Sequence, residues 1–235
     1  MIYIFDIDGT LTPYRKPINP EFKIIFENWI KNKRVWLITG SNREITVGQL
    51  GEKLLGKFEK VYQCSGNILY EGNNLIYEKE FFLPIEVEQY LNSVLESSLY
   101  PINTGKHLNH RKGTVNFSTV GQNCTQQERD AYSKWDKVNK ERETIVKNFN
   151  DRFDNLNASI GGQISMDIVP TGNDKGQIVK DIDGPFTFFG DHLFPGGNDF
   201  PIITEALLQG KFNDNKFYNV QDWLHTALLL TEIND

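Results

Sequence analysis

The chain has 235 residues, enough for one large domain or two small ones, and its 16 Phe and 4 Trp can fill a sizeable core. A formal net charge of -6 argues against nucleic acid or an anionic membrane surface as the partner, but not against a small anionic substrate held by a local arginine cluster. Cys64 and Cys124 stand far apart outside any CxxC pattern and read as reduced thiols rather than a disulfide scaffold or zinc site, and His107, His110, His192 and His225 show no ligand spacing, most of them being expected on the surface or in loops.

Taken in chain order, MIYIF is a short apolar run rich in β-branched and aromatic residues and predicts a buried strand. It is too short, and lacks the basic lead, for a secretory signal, and no run reaches the ~20 apolar residues of a membrane span, so the expected address is cytoplasmic. NPEFKIIFENWIKNKR predicts a helix: Asn19 suits the N-cap, Pro20 the first position, and Phe22, Ile25, Phe26, Trp29 and Ile30 recur at helical spacing. VWLITG predicts the next strand, SNRE a capping box in which Ser41 and Glu44 open a helix, and KVYQCSG a third strand. This alternation is the pattern of a parallel sheet with right-handed crossovers.

The pattern then changes. GNILYEGNNLIYEKE predicts a hairpin turning at Gly72-Asn73-Asn74. GTVNFSTV and GGQISMDIVP alternate, which predicts half-exposed strands. Between them TQQERDAYSKWDKVNKERETIVKNFNDRFDNL predicts one long polar helix with an apolar stripe of Tyr132, Trp135, Val138, Ile145, Phe149 and Phe153. After GNDKG, where Lys175 is expected to open a helix, the earlier style resumes: FTFFGD as a strand, DFPIITEALLQG as a helix, KFYNV as a strand and DWLHTALLL as a helix. The expected architecture is therefore an α/β core of residues 1–81 and 173–235, interrupted by an α+β insert over 82–172.

Ligands of open α/β sheets bind at the carboxyl ends of the strands. Those ends here carry Asp6 and Asp8, then Thr39, then Asp191 with PGGND behind it, and Lys175 precedes the last part of the core. Two aspartates one residue apart at a strand end repel each other. A divalent cation offsets that repulsion, and hard oxygen ligands beside a lysine and a hydroxyl suit Mg²⁺ and a phosphate. One carboxylate can then attack phosphorus while the other handles a proton.

FDIDGTLT, LITGS, Lys175 and GDHLFPGGND resemble, in order, the motifs of the haloacid dehalogenase (HAD) superfamily. RKGTVNFSTVGQNCTQQER, SIGGQISMDIVPTGNDK and FFGDHLFPGGND further resemble the eukaryotic-type phosphomannomutases. The resemblance implies a HAD-like Rossmannoid core with an inserted cap. It implies that Asp6 is a nucleophile forming an aspartyl-phosphate and Asp8 a general acid/base giving its backbone carbonyl to Mg²⁺. Asp191 would be a further metal ligand with Asp199 supporting the site, and Thr39 and Lys175 would hold phosphoryl oxygens. Arg15, Arg111, Arg129, Ser165 and Asp167 match sugar-phosphate-binding positions. Gln122 stands where the family usually has an Arg and cannot supply its charge. Glu205 is among the few oxygen ligands after GGND, too few for the second cation site known in the family. The implied activity is a Mg²⁺-dependent mutase interconverting mannose 1-phosphate and mannose 6-phosphate through a hexose bisphosphate, with a homodimer through the cap. A HAD phosphatase acting on a small phosphosugar is the alternative, because the two differ in the cap and not in the chemistry.

Overall fold

The computed structural model describes residues 1–233. Its larger sheet has seven strands: β1 (Ile2–Phe5), β2 (Arg34–Ile38), β3 (Lys60–Gln63), β4 (Ile68–Glu71), β5 (Asn74–Glu78), β10 (Phe186–Gly190) and β11 (Lys216–Asn219). They lie in the order β11-β10-β1-β2-β3-β4-β5. Parallel pairing runs from β11 to β3, and the hairpin of β4 and β5 adds an antiparallel edge. The chain leaves β1 for β2 on one side and returns much later to β10 on the other. The order therefore reverses at β1, which is where a crevice opens beyond the strand ends.

Alternation along β1 sorts its side chains onto two cores. Tyr3 and Phe5 face one, with Phe22 and Phe26 of α1 (Pro20–Trp29), Leu50 of α2 (Arg43–Leu50), Leu54 of α3 (Glu52–Leu55) and Leu230 of α8 (Trp223–Glu232). Ile2 and Ile4 face the other, with Trp36, Ile38, Ile178, Val179 and, from α7 (Phe200–Leu208), Ile202 and Ala206. Phe5 meets Phe26 edge-on at 5.1 Å and stacks on Phe189 at 4.7 Å. Asn19 caps α1, its side chain accepting from Glu21 and Phe22 N–H. Burial of a Phe such as Phe26 contributes about 1.5–3 kcal/mol, which fixes β1 and so the position of whatever follows it.

The second sheet is antiparallel, in the order β6-β7-β9-β8, from β6 (Leu108–Arg111), β7 (Thr114–Phe117), β8 (Leu156–Gly161) and β9 (Ser165–Pro170). On one face α4 (Ile85–Ser97) and α6 (Glu141–Arg152) bury Val87, Leu91, Val146 and Phe149 against Ala158, Ile160, Met166 and Ile168. The other face carries Asn116, Ser159 and Asp167, aligned by the register Asn116↔Asp167 and Ser159↔Asp167.

Several local expectations are corrected. The long polar helix is two helices, α5 (Gln126–Asn139) and α6, broken at Lys140, which is left-handed at φ 58. The break is held by Asp136, which accepts from both the backbone N–H (2.9 Å) and Nε (2.8 Å) of Arg142. Val138 of the expected stripe is 80% exposed, and Ile25 of α1 also faces solvent. Asn42, not Ser41, caps α2 by accepting from Ile45 N–H, which leaves the Ser41 hydroxyl free to turn toward Asp8. Thr114–Phe117 is fully buried rather than half-exposed, and the polar face of β9 is buried too, because it lies against the loops beyond the strand ends of the larger sheet, Arg111 meeting Gly40 and Asp167 meeting Asn198. Lys175 opens a 3₁₀ turn, Lys175–Asp181, capped by Asp174.

Candidate active site

Asp6 follows β1 directly, its backbone N–H donating to Phe189 O at 2.9 Å. Its side chain is buried and meets the fully buried Lys175, whose Nζ donates to Asp6 Oδ1 and to Asp199 Oδ1, each at 2.7 Å. Burial would discharge the lysine, but Asp199 and Asp6 outweigh it and hold its pKa above the ordinary value, so the cation is secure. Burial pushes the Asp6 carboxyl well above the usual carboxylate range; Lys175 pulls it back, and Asp199 and Asp191 push it further up. Among these buried groups the acids outnumber the cation.

Asp8 lies one pleat beyond, half-buried. Its Oδ1 accepts from the Arg15 backbone N–H at 2.7 Å and from Gln49 Nε2 at 2.9 Å, while the Ser41 hydroxyl reaches Oδ2 at 3.5 Å. Thr39, at the end of β2, accepts from Ser41 N–H at 3.0 Å, so its hydroxyl proton is free to point into the cavity that Thr39 lines. Asp191, just past β10, accepts from the Tyr14 hydroxyl and lies 2.8 Å from His192 Nδ1. Gly9, at φ +80, is required beneath it, because a Cβ there would run into the Asp191 carboxylate.

This donor set fits a hard divalent cation. Among the described residues Asp6 Oδ2 has no hydrogen-bond partner, the Asp191 carboxylate oxygens each keep a lone pair, and Asp199 and Asp191 add like charge to the burial that chiefly raises the Asp6 carboxyl, a crowding that such an ion relieves. Asp199 stands behind: its two oxygens accept from Lys175 Nζ and, at 3.0 Å, from His192 N–H, and it is 0% exposed. Oxygen or nitrogen atoms of Asp191, His192 and Asp199 also lie within 4.8 Å of one another.

Across a cavity of about 40 Å³, the second sheet contributes Arg111, Asn116, Gly161, Gly162, Ser165 and Asp167, and α5 contributes Arg129 from its first turn. The capping box predicted at Thr125 and Glu128 is present and sets that turn. Arg111 Nη1 donates to Gly40 O at 2.6 Å and lies 4.0 Å from Asp167 Oδ1, while its Nε and Nη2 are buried with no hydrogen-bond partner among the described residues. Arg15 sits at the mouth. Protein crowded round it, and the charge of Arg111 and Arg129, lower its pKa. Asp167 accepts from Asn116 Nδ2 at 2.7 Å and from Asn198 Nδ2 at 3.3 Å. Ser165 is committed to Gly161 O at 3.0 Å.

Gln122 does not line the cavity. Its Nε2 donates to Asn116 Oδ1 at 2.6 Å and its carbonyl accepts from Arg129 Nη2 at 3.2 Å, so it braces two lining residues instead. Tyr14, Gln49, Asn116, His192 and Asn198 are site residues that the sequence reading missed. The available signals were positional: Tyr14 follows the aspartate turn, and His192 and Asn198 flank the acids of GDHLFPGGND.

The family model for eukaryotic phosphomannomutase matches residues 23–213. The phosphomannomutase of Dendrobium officinale is 34% identical over 213 residues, covering 86% of this chain and 84% of its own. That of Drosophila melanogaster is 32% identical over 248 aligned positions, 99% of this chain and 95% of its own, so the alignment takes in the Asp6–Asp8 segment that the family model omits. Among solved structures, an IMP-nucleotidase of Plasmodium falciparum superposes with a TM-score of 0.57 at 16% identity, over 98% of this chain and 67% of its own. A trehalose-6-phosphate phosphatase related protein does so with a TM-score of 0.54 at 13% identity, over 99% and 96%. These distant likenesses show the α/β fold of the HAD type and no more. The sequence likeness goes further, and the chain belongs to the eukaryotic phosphomannomutase family, as a phosphotransferase of the HAD type.

Proposed function

We propose that the protein is a Mg²⁺-dependent mutase interconverting mannose 1-phosphate and mannose 6-phosphate. The observation that carries this is the opposition, across one cavity, of Asp6 and an arginine cluster whose Arg111 keeps two buried donors unpartnered. Buried donors without partners cost about 1–3 kcal/mol each, and an anion's oxygens supply what they lack. A hexose bisphosphate matches both ends in charge: one phosphate at Asp6, the other at Arg15, Arg111 and Arg129 once the cavity opens.

In the first step Asp6 Oδ2 bonds to phosphorus as the bond from phosphorus to the sugar oxygen breaks, and Asp8 gives that oxygen its proton. The hexose monophosphate so formed departs. In the second step an incoming mannose 1-phosphate, its phosphate at the arginines, presents its free 6-hydroxyl, Asp8 takes the proton, and the phosphoryl group passes from Asp6 to that oxygen. This remakes the bisphosphate, which with its ends exchanged gives its other phosphate to Asp6 and leaves as mannose 6-phosphate. Lys175 and Thr39 donate to phosphoryl oxygens, and Asn116 and Asp167 hydrogen-bond sugar hydroxyls. Mg²⁺, held by the Asp6 and Asp191 carboxylates and the Asp8 carbonyl, would neutralise charge on the transferring group. Asp199 acts by keeping Lys175 charged and in place.

The cavity of about 40 Å³ has room for only about three waters. The insert therefore works as a cap, swinging away to admit the hexose phosphate and closing to exclude water from the phosphorylated Asp6. The closed arrangement is tied by Ile160 N–H to Gly196 O (2.7 Å) and Asn198 N–H to Ile160 O (2.9 Å). The exposed Leu99 and Val138 beside Trp135 form the cap face through which a homodimer would assemble. The neutral Gln122 favours a second reading, in which a looser grip on the distal phosphate lets water take the phosphoryl group. The test is incubation with mannose 1-phosphate, Mg²⁺ and a trace of hexose bisphosphate. Mannose 6-phosphate is expected; free phosphate without it would overturn the mutase in favour of the phosphatase.

A further inference from the structure

Two aromatic side chains line the cavity beside Asp6 and carry no step of the chemistry above: Tyr14 and His192. The Tyr14 hydroxyl donates to Asp191 Oδ2. His192 Nδ1 lies 2.8 Å from Asp191 Oδ1, and the tautomer that carries its hydrogen on Nδ1 donates it to that oxygen. The two rings meet edge-on with centroids 6.4 Å apart. The His192 backbone is itself fixed, its N–H donating to Asp199 Oδ2 at 3.0 Å. On the remaining side, Gly9 lets the carboxylate lie flat against the catalytic turn.

Resting on the metal reading above, we infer that Tyr14 and His192 are positioning residues that clamp Asp191 toward Asp6 and thereby set the affinity for the divalent cation. The terminal torsion of an aspartate is broad, so a free carboxylate at the end of β10 would sample many orientations. One donor on each oxygen narrows it to a single orientation and leaves each oxygen a second lone pair for the ion. Groups that orient a metal-binding carboxylate in this way typically account for about 10–100-fold in metal affinity. Neither side chain need touch the substrate, and neither is replaced by another donor when removed: among the described residues, Asp191 Oδ2 has Tyr14 and Oδ1 has His192 as side-chain hydrogen-bond partners.

The experiment titrates the purified full chain with Mn²⁺, following free Mn²⁺ by electron paramagnetic resonance. Tyr14→Phe and His192→Phe keep a ring in place and remove one donor each. Each is expected to raise the Mn²⁺ dissociation constant about tenfold, with melting temperatures measured without metal as the control for folding. A purely structural role would lower the metal-free melting temperature and leave the dissociation constant where it was, and that result overturns the inference while leaving the metal reading intact. Absence of Mn²⁺ binding by the unaltered chain overturns both.

Discussion

Replacing Lys175 by methionine removes the cation between two buried carboxylates while keeping the length of the side chain. Lys175 Nζ lies 2.7 Å from both Asp6 and Asp199, with the lysine 1% and Asp199 0% exposed. Breaking a buried pair by removing one partner costs about 3–5 kcal/mol. At about 2–4 °C per kcal/mol for a chain of this size, the melting temperature should fall by roughly 6–20 °C. The loss should also depend on pH. Asp6 is raised, by burial first, above its ordinary 3.8, so the folded state holds that proton longer than the unfolded state. Stability from this group therefore declines as pH rises from about 4 through the folded pKa. The Lys175 pKa is raised by Asp199 and Asp6 against burial, so its contribution is fully present below its ordinary 10.5 and is lost only as pH climbs through the higher folded value. It is constant between about pH 5 and pH 8. Removing it lifts Asp6 further, so the deficit of Lys175→Met should be larger at about pH 8 than at about pH 5. Calorimetry of both proteins at the two pH values, without divalent cations, measures this. An equal deficit at both, or none, would refute the view that Lys175 acts as the counter-charge of buried acids.

Asp8→Asn should leave the site folded but reduce turnover nearly to nothing, because the amide can neither give nor take the proton; steady-state assay of both sugar phosphates checks it. Gln122 stands behind the cavity wall, so Gln122→Arg should tighten binding of a hexose bisphosphate by the full worth of a charge-assisted hydrogen bond, about 1.5–3 kcal/mol or about 10- to 100-fold, only where the longer side chain leaves Asn116 and reaches the cavity. Calorimetric titration would read this directly, and unchanged affinity would mean the neutral side chain is immaterial. The Cys64 thiol, fully buried and pushed by that burial up to about 12, should resist iodoacetamide at about pH 8 in the native protein and react once unfolded. Intact-mass measurement of the two states would show it.

The site's acids were readable because they sit at strand ends, and a buried strand such as MIYIF announces its end locally. The arginines that complete the site were less so: Arg111 reaches Gly40 across 71 positions, a contact that no local period encodes. Tyr14 was invisible for the same reason, meeting Asp191 from 177 positions away. The alternation of GTVNFSTV correctly separated two faces but misreported exposure. Its polar side, with Asn116 and Ser118, faces buried partners rather than water: Asp167 and the Ile164 carbonyl. The apolar stripe from Tyr132 to Phe153 ran unbroken through Lys140, because a helix stop made by Asp136 and Arg142 uses two charged residues that a polar helix surface would carry anyway. Ser41 and Asn42 are both good caps, and the choice between them was settled by the neighbouring Asp8, a contact between separate strand ends.

The proposed mechanism turns on Asp6 accepting the phosphoryl group. The direct measurement is rapid quenching of the enzyme with Mg²⁺ and a hexose bisphosphate, reduction of any acyl phosphate with borohydride, and peptide mass spectrometry. Reduced aspartate at position 6, absent when Mg²⁺ is chelated, is the expected result. Turnover with phosphate found on His192 or Ser41, or on no residue at all, would contradict it.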